Sequence, residues 1–486
     1  MKKLQRFLAV GVVAVLLAAC GGETEAPTLP VDGPEIGPWY AEPSPYDFEE
    51  TWMDLDGRII TMLTVGGRNF WDYDRTDAEL TTNETLAVMN VLRQIEREYN
   101  TVIELRYHTA SGLMEMLVGN RTAGDTPFDL FEARMADFIL NNLWTNGLVM
   151  PVSHSAIVDI IKPHDNPWRA SEFLTFGEHQ WAVSFNTQNS PYIMDNVLIF
   201  NNTLRENLGL PNFYDLVRNN QWTWDVFETV LHDVWERSNN TVFPIVYAHE
   251  SIPMTMFVGA NNGRIAENRP EGLVFVGHHD DNALYALNFL QQIGQRGWFH
   301  RFSPTQNHAT HGHIGTALAT GQAFFGMTGY GMIRNLTNQR ENYQGEYTFG
   351  ILPVPIGPNA TEFISVAHNE ILYHVMADIR HPQEAAAILV AMANRAGRRT
   401  SLVVAHELDY ALQSDCSAEM LAIMLNNVIV DPSRIHGDVR RAGGDTIVNA
   451  SLNILTNREA PVAAMQRISG QMQYWFNALN VIEIAN

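Results

Sequence analysis

Short apolar segments of strand-like composition alternate along this chain with longer segments of helical period. Residues 58–65, 101–107 and 128–131 are rich in apolar, β-branched and aromatic side chains, which favours strands. Between them, residues 83–99 and 113–121 carry apolar side chains at the three- and four-residue spacing of one helical face. Strand–helix–strand units of this length pair their strands in parallel through right-handed crossovers. The alternation therefore predicts an α/β fold.

The same alternation continues along the rest of the chain, which is too long for one hydrophobic core. Its 486 residues, 46% of them hydrophobic and 17% charged, have the composition of a globular protein. Because single cores stop growing at about 250–300 residues, this length predicts two domains. Further strands are predicted at 196–200, 322–327 and 347–352, and further helices at 135–144, 224–235, 281–295 and 384–395.

The N-terminus has the pattern of a bacterial lipoprotein leader. Lys2, Lys3 and Arg6 precede an apolar run at 7–19, and the sequence Leu-Ala-Ala-Cys ends at Cys20. The apolar run is shorter than the about 20 residues that cross a membrane. We therefore expect cleavage before Cys20 and acylation of that cysteine. An ordinary cleaved secretion signal is the alternative interpretation.

Residues 1–19 are accordingly predicted to be the signal peptide, and residues 20–45 the lipid anchor with a flexible tether. The segment 21–44 is rich in Gly, Pro, Glu and Thr and has no hydrophobic period. Such a segment cannot bury enough apolar surface to offset the entropy lost on ordering. We expect the folded body to begin near residue 46 and to lie on the extracytoplasmic face of a bacterial cell membrane, held there by the N-terminal lipid.

Charge and cysteine content argue against several classes of function. With 54 acidic against 31 basic residues the formal net charge is −23, whereas a nucleic-acid-binding protein presents a basic surface. The chain has 2 cysteines, so an acylated Cys20 leaves Cys416 without a partner for a disulfide or a cysteine-based zinc site. We expect no nucleic-acid partner and no cofactor.

Several collinear segments resemble the extracellular solute-binding proteins, family 1, of ABC importers, a group that includes maltose- and oligosaccharide-binding lipoproteins. The segment at 122–130 is similar to the family's Gly-x-x-Pro-Asp-hydrophobic step, and 351–358 (Ile-Leu-Pro-Val-Pro-Ile-Gly-Pro) is similar to its Leu-Pro-x-Pro-x-Gly-Pro pattern. Gln180 and Phe200 depart from the pattern, where the family often has lysine and tyrosine. Other similar segments lie at 95–105, 146–152, 181–183, 197–202, 208–211, 222–225 and 319–327.

The resemblance implies a two-lobed, periplasmic-binding-protein-like fold of type II, with a ligand cleft between lobes that hinge crossovers join. It implies a lobe 1 of 46–185 plus about 365–435, and a lobe 2 of about 186–364 plus about 436–486. The implied function is capture of a small-molecule solute, a sugar or oligosaccharide, and its delivery to the transmembrane subunits of an ABC permease. On this view the chain acts as a monomer and is not an enzyme.

Ligands of open α/β sheets bind at the carboxyl ends of the strands, which makes the loops after the predicted strands the candidate site. These loops combine the aromatic faces and the few polar groups that a small-ligand site needs. We expect Trp181, Trp222 and Trp224, by contrast, to pack in the core. The predicted ligand-binding residues are Arg68, Phe70, Trp71, Glu132, Arg134, Asn186, Tyr192, Tyr247, Glu250 and Tyr330.

Other functions stay open on the sequence. His300, His308, His311 and His313 form a cluster, and imidazole binds Zn, Cu or Ni, but their spacing is not that of a His-Glu-x-x-His metalloprotease helix. A secreted glycoside- or metal-dependent hydrolase is one alternative, although the sequence has no Gly-x-Ser-x-Gly motif. A ligand-binding sensor or adhesion lipoprotein is the other.

Overall fold

The chain is described here by a computed structural model, and the described residues carry most of the predicted body. They are 50–65, 83–109, 112–134, 143–144, 146–161, 175–176, 179–184, 197–247, 251–269, 272–301, 311–329, 333, 347–367, 371–407, 416–434 and 447–480. Within these ranges, no helix combines the length and the apolarity that crossing a membrane requires.

Strands and helices alternate over much of these ranges. The strands are β1 (Ile59–Val65), β2 (Val102–His108), β3 (Leu130–Arg134), β4 (Val149–Met150), β5 (Thr175–Phe176), β6 (His179–Gln180), β7 (Val183–Ser184), β8 (Val197–Asn201), β9 (Phe243–Tyr247), β10 (Ala266–Arg269), β11 (Gly272–Phe275), β12 (Phe299–Arg301), β13 (Ala323–Thr328), β14 (Phe349–Leu352), β15 (Ser365–Ala367), β16 (Ile371–Met376) and β17 (Val428–Val430). The helices are α1 (Asn83–Glu98), α2 (Leu113–Thr122), α3 (Asn202–Asn207), α4 (Phe213–Arg218), α5 (Trp224–Arg237), α6 (Ser251–Ala260), α7 (Asp281–Gln295), α8 (His311–Ala319), α9 (Pro382–Glu407), α10 (Ser417–Asn426), α11 (Ile447–Leu455) and α12 (Pro461–Asn480).

The first sheet joins strands of the N-terminal part to one strand from much later in the chain. Its order is β2-β1-β3-β16-β4, and β7 also pairs with β16. β1 is parallel to β2 and β3, as the strand–helix–strand pattern predicts, whereas β16 is antiparallel to β3. Met62 and Leu63 are both buried, and successive residues of a strand point to opposite faces. Both faces of this sheet are therefore covered.

Helix α9 packs on α1 beside this sheet and is longer than the predicted 384–395. It begins at Pro382, a residue suited to the first helical position because its missing N–H would have no partner there. Arg58, which precedes β1, pairs with Glu384 of α9 at 2.5 Å and with Asp129, which precedes β3, at 2.6 Å. These ion pairs join the starts of two strands and of the helix.

The second sheet has the order β12-β9-β13-β8-β14. β12, β9 and β13 run parallel, and β8 is antiparallel to β13 and to β14. Every residue of β8 and of β13 is buried, as expected for strands covered on both faces. Their near-continuous apolar sequences are the reason that both strands were predictable.

An aromatic cluster fills the core beside the second sheet. The ring centroid of Phe213 lies 5.2 Å from that of Phe200 and 5.3 Å from that of Trp222. Phe227 packs edge-on against Trp222 at 5.6 Å. A Cβ atom at Gly350 of β14 would overlap the ring of Phe200, so this close approach requires glycine. Phe200, a departure from the family pattern, is thus a packing residue.

The C-terminal segments pack mainly with elements of the second sheet. β17 pairs in parallel with β15, and Glu419 of α10 forms an ion pair with Arg218 of α4 at 2.6 Å. The buried carboxylate of Asp431 accepts hydrogen bonds from the backbone N–H groups of Ile265 at 2.7 Å and Ala266 at 3.2 Å. Helices α11 and α12 cover α7 and β11.

The predicted α/β class is confirmed. Two separate mixed sheets, one built largely from residues before 185 and the other from residues 197–352, form the framework. Along the described residues the chain passes from the first sheet to the second between β7 and β8. It returns between β14 and β16, and it leaves again between α9 and α10.

Candidate functional site

The carboxyl ends of the parallel strands meet at one edge of each sheet. In the first sheet, β1 and β3 bring Thr64 and Glu132 to this edge. In the second sheet, β9 and β13 bring Tyr247 and Thr328 to the corresponding edge. Ligand sites of open α/β sheets lie at such edges, so these two edges form the candidate site.

Three polar side chains lie side by side at this edge of the first sheet. Thr64 of β1 is opposite Glu132 of β3, which is opposite Tyr373 of β16. Side chains of directly opposed residues project to the same face, and the paired Cα atoms are about 5 Å apart. The exposed fractions of the three residues are 1%, 0% and 1%. We name the set Thr64, Glu132 and Tyr373 the polar row.

The Thr64 hydroxyl is buried and has no hydrogen-bond partner among the described residues. Most buried hydroxyls are paired, and leaving one unpaired destabilises a protein by about 1–3 kcal/mol. The carboxyl group of Glu132 has oxygens that accept hydrogen bonds, whereas the hydroxyls of Thr64 and Tyr373 both donate and accept. The polar row therefore offers donors and acceptors together in a place shielded from water.

The opposite face of the same strands holds a buried histidine. His374 lies 6.2 Å from Phe131 and 6.3 Å from Trp144 between ring centroids, and its Nδ1 is 2.8 Å from the carbonyl oxygen of Trp181. Burial lowers the pKa of His374 to about 4, so the ring is neutral at pH 7. Because a carbonyl only accepts, Nδ1 carries the proton and donates it. His374 Nε2 and the buried indole Nε1 of Trp181 have no hydrogen-bond partner within the described ranges.

The corresponding edge of the second sheet is more apolar. Tyr247 is 3% exposed, and its ring packs edge-on against Phe299 at 6.1 Å. The indole N–H groups of Trp222 and Trp224 donate to the carbonyl oxygens of Pro353 and Pro355, each at 3.0 Å. These bonds hold the segment after β14 against the start of α5. The prediction that both tryptophans are structural is confirmed.

A shallow concavity lies at the other edge of the first sheet. Arg121, Asp125, Phe128 and Met376 are among its lining residues. They lie near the amino end of β3 and the carboxyl end of the antiparallel β16. The carboxyl-edge rule argues against a ligand site at this position.

Solved structures with the same architecture are sugar- and substrate-binding proteins. The sugar-binding protein MalE from Xanthomonas citri is 15% identical, with a TM-score of 0.58 over 87% of this chain and 97% of that one. The ABC substrate-binding protein from Listeria monocytogenes in complex with cycloalternan is 14% identical, with a TM-score of 0.57 over 87% and 100%. The GacH receptor of Streptomyces glaucescens, solved unliganded and with acarbose, is 12% identical, with a TM-score of 0.55 over 88% and 100%. This chain has the two-lobed fold of these binding proteins.

The similarity is one of fold and not of sequence. No protein-family model matches the sequence, and no curated protein matches it. The identities of 12–15% explain why the segments that resemble family 1 are short and scattered. The fold that the resemblance implied is nevertheless confirmed.

The predicted ligand-binding residues of this two-lobed chain fall into two groups. Glu132 and Tyr247 are described with their side chains, and both are buried at the carboxyl edges. The backbone of Arg134 is also described and pairs with Ile371 of β16. The remaining predicted residues lie outside the described residues, as does Cys20: they are Arg68, Phe70, Trp71, Asn186, Tyr192, Glu250 and Tyr330.

The histidine-rich segment does not form a metal centre in the part of the chain that the structure describes. His300 of β12 stacks on Phe243 with ring centroids 3.8 Å apart, and burial lowers the pKa of His300. His311 and His313 belong to α8, and His308 lies outside the described residues. Among the described residues, no group of three or more His, Cys, Asp or Glu side chains is placed to hold a metal ion.

Sequence reasoning missed two members of the polar row. Thr64 stands in a strand of otherwise apolar or β-branched residues, where threonine is common. Tyr373 lies far from Glu132 along the chain, and only the pairing of β16 with β3 brings the two together. The one usable sequence signal was the position of Thr64 two residues before the glycine pair that follows β1.

Proposed function

We propose that this chain is the extracytoplasmic solute-binding lipoprotein of an ABC importer and that it captures a sugar or oligosaccharide. The observation that carries the proposal is the fold, which it shares with proteins named for binding sugars, cycloalternan and acarbose. The polar row at the carboxyl edge of the first sheet adds the donor and acceptor groups that hydroxyl-rich ligands need.

Ligand capture proceeds by closure of the two lobes. Along the described residues, the chain changes between the two sheets three times: between β7 and β8, between β14 and β16, and between α9 and α10. A small number of connecting segments between two lobes is a condition for hinge motion. Ligand bound to one lobe stabilises the closed form through its contacts with the other, and the closed form is the one delivered to the permease.

The ligand contacts proposed for this cleft come from the carboxyl-edge loops of both lobes. They include the predicted residues Arg68, Trp71, Glu132, Tyr247 and Tyr330, with the others of that set. Aromatic faces pack on the C–H surfaces of a sugar, while carboxylate, amide and guanidinium groups bind its hydroxyls. No step of this activity breaks a covalent bond, so the proposed protein is a carrier and not an enzyme.

The proposed lobe boundaries follow the packing of the C-terminal segments. Residues up to about 185 and 371–407 form lobe 1, because β16 and α9 pack with the first sheet and α1. Residues 197–352 form lobe 2. Residues 416–434 join lobe 2 and not lobe 1, in view of the Arg218–Glu419 ion pair and the Asp431 hydrogen bonds, and 447–480 join it through α7 and β11.

The proposed lipid tether joins lobe 1. Glu50 opens the described residues, and its carboxylate accepts hydrogen bonds from Tyr99 at 2.9 Å, Asn394 at 3.0 Å and Arg395 at 2.8 Å. Arg395 also pairs with Glu98, so α1, α9 and the entering chain are held together. An acylated Cys20 would thus hold the protein at the membrane through lobe 1 and leave lobe 2 free to move.

A thermal-shift screen of the body from about residue 46 tests the proposal. The panel holds mono- and oligosaccharides, polyols, peptides and divalent metal ions. A ligand at one hundred times its Kd stabilises the folded state by about 2.7 kcal/mol, which raises the Tm by a few degrees. A shift with a sugar that is recovered intact supports the proposal. A shift with metal ions alone, or consumption of the sugar, overturns it.

A further inference from the structure

The polar row carries an inference that deepens the proposed function and rests on it. We propose that the Thr64 hydroxyl, together with Glu132 and Tyr373, forms the subsite of lobe 1 that binds a hydroxyl group of the solute. The ligand class is therefore a neutral polyol or sugar. Thr64 and Tyr373 are additions to the predicted site.

The polar row lies within β1, β3 and β16, near the carboxyl edge of the first sheet, and its three residues share one face of that sheet. The chain segments that follow β1 and β3 include predicted ligand-binding residues. Ligands of open α/β sheets bind at this edge, which favours a ligand contact for the polar row.

The side chains of the polar row match the hydrogen-bonding capacity of a sugar hydroxyl. A sugar hydroxyl donates one hydrogen bond and accepts others, so it is best held by a carboxylate together with a group that can donate. Glu132 supplies the acceptor, and the hydroxyls of Thr64 and Tyr373 supply both functions.

Thr64 is 1% exposed, and its hydroxyl has no hydrogen-bond partner among the described residues. An unpaired buried hydroxyl destabilises the free protein, and a ligand hydroxyl that pairs with it removes this destabilisation on binding. Other unpaired atoms near this sheet are His374 Nε2, on the opposite face with Phe131 and Trp144, and the indole Nε1 of Trp181, whose ring contacts His179. Thr64, by contrast, has its unpaired hydroxyl near the carboxyl edge of the sheet among the described residues.

Thr64→Val separates a ligand contact from a structural one, because valine has the same shape and lacks the hydroxyl. The solute that stabilises the wild-type body is titrated calorimetrically into Thr64→Val, Thr64→Ser and Glu132→Gln. We expect Kd to rise about 5- to 20-fold in Thr64→Val and in Glu132→Gln. Thr64→Ser keeps the hydroxyl and should retain most of the affinity. Without ligand, the Tm of Thr64→Val should be equal to or above that of the wild type.

Thr101→Val is the matched control in the same sheet. The Thr101 hydroxyl is buried but donates to the carbonyl oxygen of Arg58 at 2.6 Å, at the amino end of β2. Its replacement should lower the Tm of the free protein and leave Kd within twofold of the wild type.

The outcomes distinguish the inference from the proposed function. Sugar binding by the wild type with an unchanged Kd in Thr64→Val overturns the subsite and leaves the sugar-binding function intact. A lower Tm of ligand-free Thr64→Val with unchanged Kd overturns it too, since the hydroxyl would then be satisfied within the protein. A wild-type body that binds no solute of the panel refutes the proposed function, and the subsite falls with it.

Discussion

The two sheets of this protein bury very different side chains. The second sheet rests on an aromatic core with paired polar groups: Trp222 and Trp224 donate to carbonyl oxygens, and Asn201 both accepts from Leu204 N–H and donates to Leu318 O. The first sheet buries the polar row on one face and a neutral histidine on the other. Its unpaired atoms include Thr64 Oγ1, Trp181 Nε1 and His374 Nε2.

Paired and unpaired buried polar groups differ in what they contribute to a protein. A satisfied aromatic core stabilises a lobe and needs no ligand, whereas buried polar atoms without partners are disfavoured and tend to persist where function requires them. The first sheet accordingly has an unpaired hydroxyl near its carboxyl edge, whereas Trp222 and Trp224 beside the second sheet have paired indole N–H groups. We therefore expect substitutions in the two sheets to affect stability in different ways.

The largest effect is expected from the core of the second sheet. Trp222 is fully buried, so Trp222→Ala removes a large side chain and leaves Pro353 O without its donor. The free energy of unfolding, measured by urea titration, should fall by about 3–5 kcal/mol. Trp222→Phe is the control and should lose less. A loss below about 1 kcal/mol for Trp222→Ala would show that this core is not what stabilises the lobe.

A pH effect is expected from the first sheet. The pKa of His374 is lowered to about 4 in the folded protein, against about 6.5 in the unfolded chain. The folded state therefore binds fewer protons, so stability is complete above pH 6.5 and is lost as the pH falls toward 4, by about 1.4 kcal/mol per pH unit. The total is of order 3 kcal/mol.

The variant His374→Asn isolates this pH effect. Its amide keeps a donor for Trp181 O and does not titrate, so the unfolding free energy should depend less steeply on pH than in the wild type between 6.5 and 4. Asp129 and Asp431, whose pKa values burial raises, contribute with the opposite sign in both proteins and cancel in the difference. Equal slopes in His374→Asn and in the wild type would contradict the prediction.

The smallest effect comes from a matched pair of tryptophans. Trp224 and Trp181 are both buried, but the indole N–H of Trp224 is hydrogen-bonded and that of Trp181 is not. Trp224→Phe should therefore destabilise the protein by about 1 kcal/mol more than Trp181→Phe, because it also leaves a carbonyl unpaired. The measurement is the midpoint of urea unfolding for the two variants. Equal losses would mean that the Trp181 indole has a partner in solution.

Much of the fold was predictable because its signals are local. The apolar segments at 58–65, 101–107 and 322–327 coincide with β1, β2 and β13 to within a residue or two, and the helical period at 281–295 matches α7. The extent of α9 was not predictable, since the helical pattern weakens after 395 while the helix runs to Glu407. Tertiary contacts with α1 support the helix there at least through Arg395, which pairs with Glu98.

The candidate site was less predictable than the fold. The carboxyl-edge rule selected Glu132 and Tyr247, which the structure places inside β3 and at the end of β9 and not in the loops after these strands. Whether they bind a ligand stays a prediction. The rule did not select Thr64 and Tyr373, because a site residue inside a strand has no local sequence pattern that distinguishes it from a packing residue.

The sequence by itself determined the alternation of strands and helices, the apolar strands of the second sheet, and the structural roles of Trp222 and Trp224. These depend on side-chain period, composition and burial within short stretches of chain. Only the tertiary structure decided that β16 inserts beside β3 and so places Tyr373 next to Glu132 and Thr64. The physical reason is that strand pairing between distant segments is selected by backbone hydrogen bonding and burial over the whole sheet, and no short segment encodes it.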